Sequence, residues 1–241
     1  MALTAALTPV RSTAGGSTRA NVFVAGVLYV LTFAASIPAV LLLNPVLTDP
    51  NYIVGTGSDS AVLVACLLDI VTALAGIGTT VALFPVLRRH NEAIALGFVT
   101  SRMVEGLVIL IGVVSLLAVV TLRQQLSTSG DAASLVTVGA SLVAVRNWAF
   151  LLGPVLMAGI NALLFGSLLY RSRLVPRIIP LLGLIGAPLL LTSTMLTFFG
   201  YNQVLSPISS IATAPIFIWE LSIGFWMIFK GFRPSTLASD D

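Results

Sequence analysis

The sequence predicts an all-α protein, a polytopic bundle of six transmembrane helices with N- and C-termini cytoplasmic. Three observations carry this. Hydrophobic residues make up 57% of the 241 and charged residues only 9%, against roughly 25% charged in soluble domains; the mean hydropathy is +1.05. A chain so poor in charge cannot coat itself for water. Six apolar stretches are long enough to cross a bilayer. They fall at 21–43, 60–86, 93–121, 142–170, 178–199 and 207–230. Lys and Arg then set the orientation. With the N-terminus inside, Arg11, Arg19, Arg88, Arg89, Arg171, Arg173, Arg177, Lys230 and Arg233 all lie inside, and only Arg123 lies in an outer connection.

Each element has a local reason. Residues 1–20, MALTAALTPVRSTAGGSTRA, are free of acids and read as a disordered cytoplasmic tail. The apolar run after them is too long for a signal-peptide core and is expected to stay as the first span. Asn44-Pro45 and Asp49-Pro50 mark the first loop, closed by GTGSDS at 55–60. Asn91 and Glu92 suit the start of the third helix. Segment 131–145, DAASLVTVGASLVAV, either extends the fourth span outward as one long helix, lies at the surface, or re-enters; Gly153-Pro154 predicts a kink after it. Pro207 opens the last span, where its missing N–H costs nothing. Residues 21–230 form one membrane domain, and 231–241 a second cytoplasmic tail.

Along each span the residues sort into two faces. The second carries Leu63, Leu67, Ile70, Leu74, Ile77 and Val81 on one side, and Ala65, Asp69, Thr72, Gly76 and Thr80 on the other. The third sets Val99, Met103, Leu107, Leu110 and Val114 against Gly97, Ser101, Arg102, Glu105 and Gly112. The sixth aligns Ser209, Thr213, Phe217, Glu220 and Gly224; the fourth aligns Asn147, Pro154 and Asn161; the first, more mildly, Ala25, Tyr29, Thr32 and Ser36. Small and polar residues belong where helices meet, and the apolar stripes belong against lipid.

Packing accounts for the glycines and threonines. It does not account for Asp69, Arg102, Glu105, Arg146 and Glu220, each of which costs about 2.5–3.5 kcal/mol at the bilayer centre on insertion scales. Helical rise places Arg102 and Glu220 about 15 Å from the cytoplasmic end, Glu105 about 20 Å, Asp69 about 25 Å and Arg146 about 35 Å. Arg102 and Glu220 are therefore expected to pair. Glu105 shares Arg102 at i,i+3. Asp69 pairs with Arg146 if the Gly153-Pro154 kink brings the arginine inward. Three acids meet two arginines, so one carboxylate, Glu105 or Asp69, is protonated or bound to something else. The proposed binding set is Asp69, Arg102, Glu105, Arg146, Asn147, Asn161 and Glu220. Trp219, beside Glu220 and too deep for the interface, is expected to line the cavity.

Two motifs, ALFPVLRRHNEAIALGFVTSRMVEG at 82–106 and RNWAFLLGP at 146–154, together with the loop NPVLTDPNY and RSRLVPRIIPLLGLIG, resemble the bacterial membrane family catalogued as domain of unknown function 4386. The resemblance runs from about residue 20 to 230. It implies a six-pass helical protein and no activity. In the family pattern an acid often stands where this chain has Asn147, which removes a charge beside Arg146.

The chemistry that can be excluded is broad. One cysteine, Cys66, excludes an internal disulfide, and with the single histidine, His90, it argues against a metal site. No G-x-S-x-G, H-E-x-x-H, P-loop or C-x-x-C pattern occurs, so no catalytic residue and no cofactor is assigned. A net charge of +3 without a basic tail gives no nucleic-acid partner. The partners expected are the lipid bilayer and a small-molecule or lipid ligand, and the location is the cell membrane, the inner one of a bacterium. Binding or transport through the buried charges ranks first. A regulatory or structural subunit, whose charges only fix packing, ranks second. An intramembrane enzyme on lipid substrates, with Asp69 and Glu105 as acid and base, ranks third.

Overall fold

The computed structural model describes residues 14–55, 58–126, 132–204 and 206–233. Helix α1 spans Ala14–Thr48, α2 Asp59–Leu87, α3 Glu92–Leu126, α4 Ala132–Phe150, α5 Leu156–Ser172, α6 Ile178–Phe198 and α7 Pro207–Phe229. A π-helical turn, Leu151–Val155, joins α4 to α5, so Ala132–Ser172 is one rod. Among the described residues six helices are long and apolar enough to span a membrane. The protein is a multi-pass α-helical bundle.

The crossings pack in chain order, α1 on α2, α2 on α3, α3 on the α4–α5 rod, α5 on α6 and α6 on α7, and α7 returns to α1. The ring is closed. Its outside carries the predicted lipid stripes: Leu63, Leu67, Leu74 and Val81 on α2, and Met103, Leu107 and Val114 on α3, are all exposed. Inside are two apolar cores. One, toward the arginine-rich end, joins Tyr29, Phe98, Phe165, Trp219 and Met227. The other, toward the opposite end, joins Leu43, Tyr52, Ile53, Val113 and Leu116. On α1 and α3 the polar residues Thr32, Ser36, Arg102 and Glu105 fall between the segments that build these cores. On α2, Asp69 stands among residues of the second core, so the charges form a layer that reaches into that core.

Several local signals hold. The Asn91 side chain accepts from the Ile94 backbone N–H at 2.9 Å and caps α3. Ser206 caps α7 through the Ser209 N–H at 3.1 Å, with Pro207 at the first helical position. The expected tail and first loop are corrected. Helix α1 begins at Ala14, so residues 14–20 are helical, while 1–13 lie outside the described residues. It also runs through Asn44-Pro45 to Thr48. A proline there removes a single bond near the helix end, and Asp49 N–H still reaches the Pro45 carbonyl at 3.1 Å. The turn at 55–60 lies partly outside the described residues; Asp59 already begins α2. Residues 132–145 take the long-helix alternative, and 131 lies outside the described residues. Of the C-terminal tail, Arg233 is tied by its N–H to the Leu174 carbonyl at 2.9 Å, and 234–241 lie outside the described residues.

The end remote from the arginines is pinned by one polar knot. Arg123, near the end of α3, bonds Asp59 at 2.9 Å and the Gly55 carbonyl at 2.8 Å, and lies over the Tyr52 ring at 4.9 Å. The other end holds His90 in the α2–α3 turn. Partial burial holds its imidazole below the ordinary value of about 6.5. The folded protein therefore favours neutral His90, while the unfolded chain takes up the proton at higher pH. The stability tied to neutral His90 is full above about pH 6.5 and is lost as pH falls through the lower folded value. His90→Gln is expected to flatten the acid side of the melting-temperature profile; an unchanged acid limb would refute this.

Candidate functional site: a charged layer in two parts

Arg102, about three turns into α3, is held by groups on three helices. Its Nη1 donates to both oxygens of Glu105, at 3.2 and 3.0 Å. Its Nη2 donates to Tyr29 Oη at 3.0 Å and to Glu220 Oε1 at 3.3 Å. Tyr29 in turn donates to Glu220 Oε1 at 3.0 Å, and Asn161 Nδ2 donates to Glu105 Oε2 at 2.7 Å. The guanidinium also lies over the Tyr29 ring, 5.2 Å from its centroid. Thus α1, α3, α5 and α7 are tied through one cation. Two unsatisfied atoms remain in this knot, Arg102 Nε and Asn161 Oδ1.

The second part is looser. Arg146 faces Asp69 with Nη2 3.7 Å from Oδ2. That is an ion pair without a hydrogen bond. Arg146 also lies over the Phe150 ring, 4.8 Å from its centroid. Room for it comes from Gly112, where a Cβ would stand 2.9 Å from Arg146 Cδ.

Both expected long-range pairs, Arg102–Glu220 and Asp69–Arg146, are therefore present, and so is the i,i+3 pair Arg102–Glu105. Asn161 joins through Glu105. Asn147 does not join. It is exposed and borders a separate cavity with Asp49, Ile53 and Val143. The reason is the π turn. In an unbroken helix Asn147 stands fourteen residues, nearly four whole turns, from Asn161. The Leu156 N–H reaches back five residues to the Leu151 carbonyl, and the wider turn takes up an additional residue. That slip of about 100° hands the inward position to Arg146. Trp219 is also corrected. Adjacent residues on a helix diverge by about 100°; Glu220 faces the charges, while Trp219 is fully buried in the neighbouring apolar core against Gly183. Tyr29 is the residue that sequence reasoning left without a role. It lay on the polar stripe of α1, but a tyrosine near a helix middle gives no sign of which carboxylate it will meet.

Both parts of the layer border a chamber of about 140 Å³, shared by Asp69, Arg102, Glu105, Arg146 and Glu220 with Thr32, Ser36 and Thr72. It adjoins an apolar cleft of about 410 Å³ between α1, the rod, α6 and α7. Phe33, Val40, Phe150, Pro154 and Ala158 border both spaces, and Glu220 stands where they meet. Most hydroxyls in the cleft are spent locally; Ser193 and Ser209 bond each other at 3.0 Å, and Thr194, Thr197 and Thr213 bond their own helices. Among the described residues no three His, Cys, Asp or Glu side chains converge on a metal position.

These features define a multi-pass membrane protein whose described residues form six membrane-spanning segments around a buried, charge-lined chamber. The family model for Domain of unknown function (DUF4386) matches residues 24–231, and the chain belongs to that family. No curated protein and no solved structure matches it.

Proposed function

We propose that this protein binds or transports a small molecule or lipid, with the charged chamber as its site and both termini on the cytoplasmic side. One observation carries the reading. Ionisable side chains that are costly in a bilayer line a cavity instead of being wholly consumed by one another, and that cavity continues into an apolar cleft. The cleft suits an apolar body and the chamber a polar head. The specific support for the alternative, a structural or regulatory subunit, is the set of four hydrogen bonds from the two terminal nitrogens of Arg102, which serves helix register by itself.

The test is native mass spectrometry of protein purified in a mild detergent, with release and identification of whatever stays bound. A discrete bound mass, lost in Asp69→Asn while the melting transition is kept, is the expected result. A protein that carries nothing, and whose Asp69→Asn variant supports the same cellular phenotype as the wild type, would move the subunit reading to the front.

A further inference from the structure

The two arginines of the charged layer are chemically unequal. Arg102 spends both terminal nitrogens on four hydrogen bonds. Arg146 is just as buried, 5% exposed, yet among the described residues it donates no hydrogen bond; its partners are an aromatic face and a carboxylate at 3.7 Å. Asp69, 8% exposed, accepts none. A guanidinium offers five N–H donors in a fixed fork that fits the two oxygens of an oxyanion. A carboxylate offers acceptors suited to an ammonium. Both groups border the same chamber. None of their polar atoms is among the fully buried ones without a partner, so they stay open to the chamber, where a ligand can meet them.

On the reading of the chamber as a binding site, we propose that Arg146 and Asp69 are its recognition pair, and that the ligand is a small zwitterion. Its carboxylate or phosphate oxygens sit on Arg146, its ammonium on Asp69, and its apolar part leaves past Phe150 and Pro154 into the cleft. The Arg102 knot is the scaffold that holds the helices around them. The matching of donors and acceptors at Arg146 and Asp69 selects this class. Three carboxylates already face two arginines, so a lone anion worsens the excess and leaves Asp69 beside it. A lone cation leaves the Arg146 fork unmatched. A zwitterion satisfies both and adds no net charge. The chamber's volume, about 140 Å³, is close to that which takes up a benzene-sized molecule, so only a head group fits there. Such a head occurs on free amino acids and on aminophospholipids.

Three matched probes test this with the full chain in phosphatidylglycerol nanodiscs: norleucine, hexanoate (the same molecule without its amine) and pentylamine (without its carboxylate). In a second arm the nanodiscs contain phosphatidylethanolamine, and retained lipid is read by native mass spectrometry. Norleucine or phosphatidylethanolamine is expected to bind. Hexanoate and pentylamine should each bind about tenfold more weakly or worse, the loss of one charge-assisted hydrogen bond. The charge-neutral double variant Arg146→Gln/Asp69→Asn, which leaves no lone buried charge and is checked for an intact melting transition, should lose the zwitterion. Binding of norleucine alone assigns a soluble ligand, and of phosphatidylethanolamine alone a lipid head group; each supports the proposal. Hexanoate or pentylamine binding as tightly as norleucine overturns the zwitterion and leaves the chamber as a site. Zwitterion binding that survives the double variant overturns Arg146 and Asp69 as its holders. If no probe and no lipid binds, the assignment falls together with the reading it rests on.

Discussion

Arg102→Ala is expected to cost about 3–5 kcal/mol of stability, the loss seen when one member of a buried ionic cluster is removed. The cause is less the vanished attraction than what it leaves behind. Glu105 and Glu220 would stay in the bundle interior, deprived of their shared cation, and Tyr29 would lose the group that its ring and hydroxyl both meet. Thermal unfolding in mild detergent, followed by intrinsic fluorescence, measures the loss. The triple variant Arg102→Met/Glu105→Gln/Glu220→Gln should recover most of it, because neutral groups of similar size restore packing without stranding a charge. A single variant that melts like the wild type would show that water reaches this layer freely. A triple variant as unstable as the single one would show that the knot's geometry, not its charge balance, holds the helices.

The other large effect lies outside the charged layer, where α6 crosses α7. At Gly183 any side chain would begin 2.5 Å from Trp219 Cδ2 and 2.7 Å from Cε2. Contacts under 3.0 Å are not tolerated, so the indole or a helix must move. The indole has nowhere to go. It is fully buried, and the Phe165 ring packs against it with centroids 6.1 Å apart. Gly183→Val is therefore expected to destabilise by about 3 kcal/mol, at the upper end of overpacking costs. Gly183→Val combined with Trp219→Leu should cost less than the sum of the two single changes, because the smaller side chain vacates the space that the valine needs. Strict additivity in the melting data would contradict a direct clash. Glu220, the next residue, lies on a different face, so its pairing with Arg102 should persist in whatever fraction remains folded.

The architecture could be read only unevenly from the sequence. Six crossings were legible because a bilayer demands about 20 apolar residues in succession and punishes charge. Which face of α2 and α3 meets lipid was legible because every third or fourth residue repeats that demand. Arg102 and Glu105 were a local pair, three residues apart on one helix, and their depth together with that of Glu220 required only the helical rise. Long-range contacts that depend on a shift in phase were not legible in the same way. The π turn at Leu151–Val155 rotates Arg146 onto Asp69 and turns Asn147 away; Gly153-Pro154 signalled a disturbance but not its angle. The bond from Asn161 to Glu105 and the bridge from Tyr29 to Glu220 join residues 56 and 191 positions apart, and no periodicity within one helix selects such partners. The amino-acid sequence by itself determined the class of protein, its crossings and the set of charges that had to hide from lipid, because solvation acts on each segment alone. Only the tertiary structure decided which charges are consumed by one another and which face the chamber, because that depends on how helices far apart in sequence are rotated when they close into a ring.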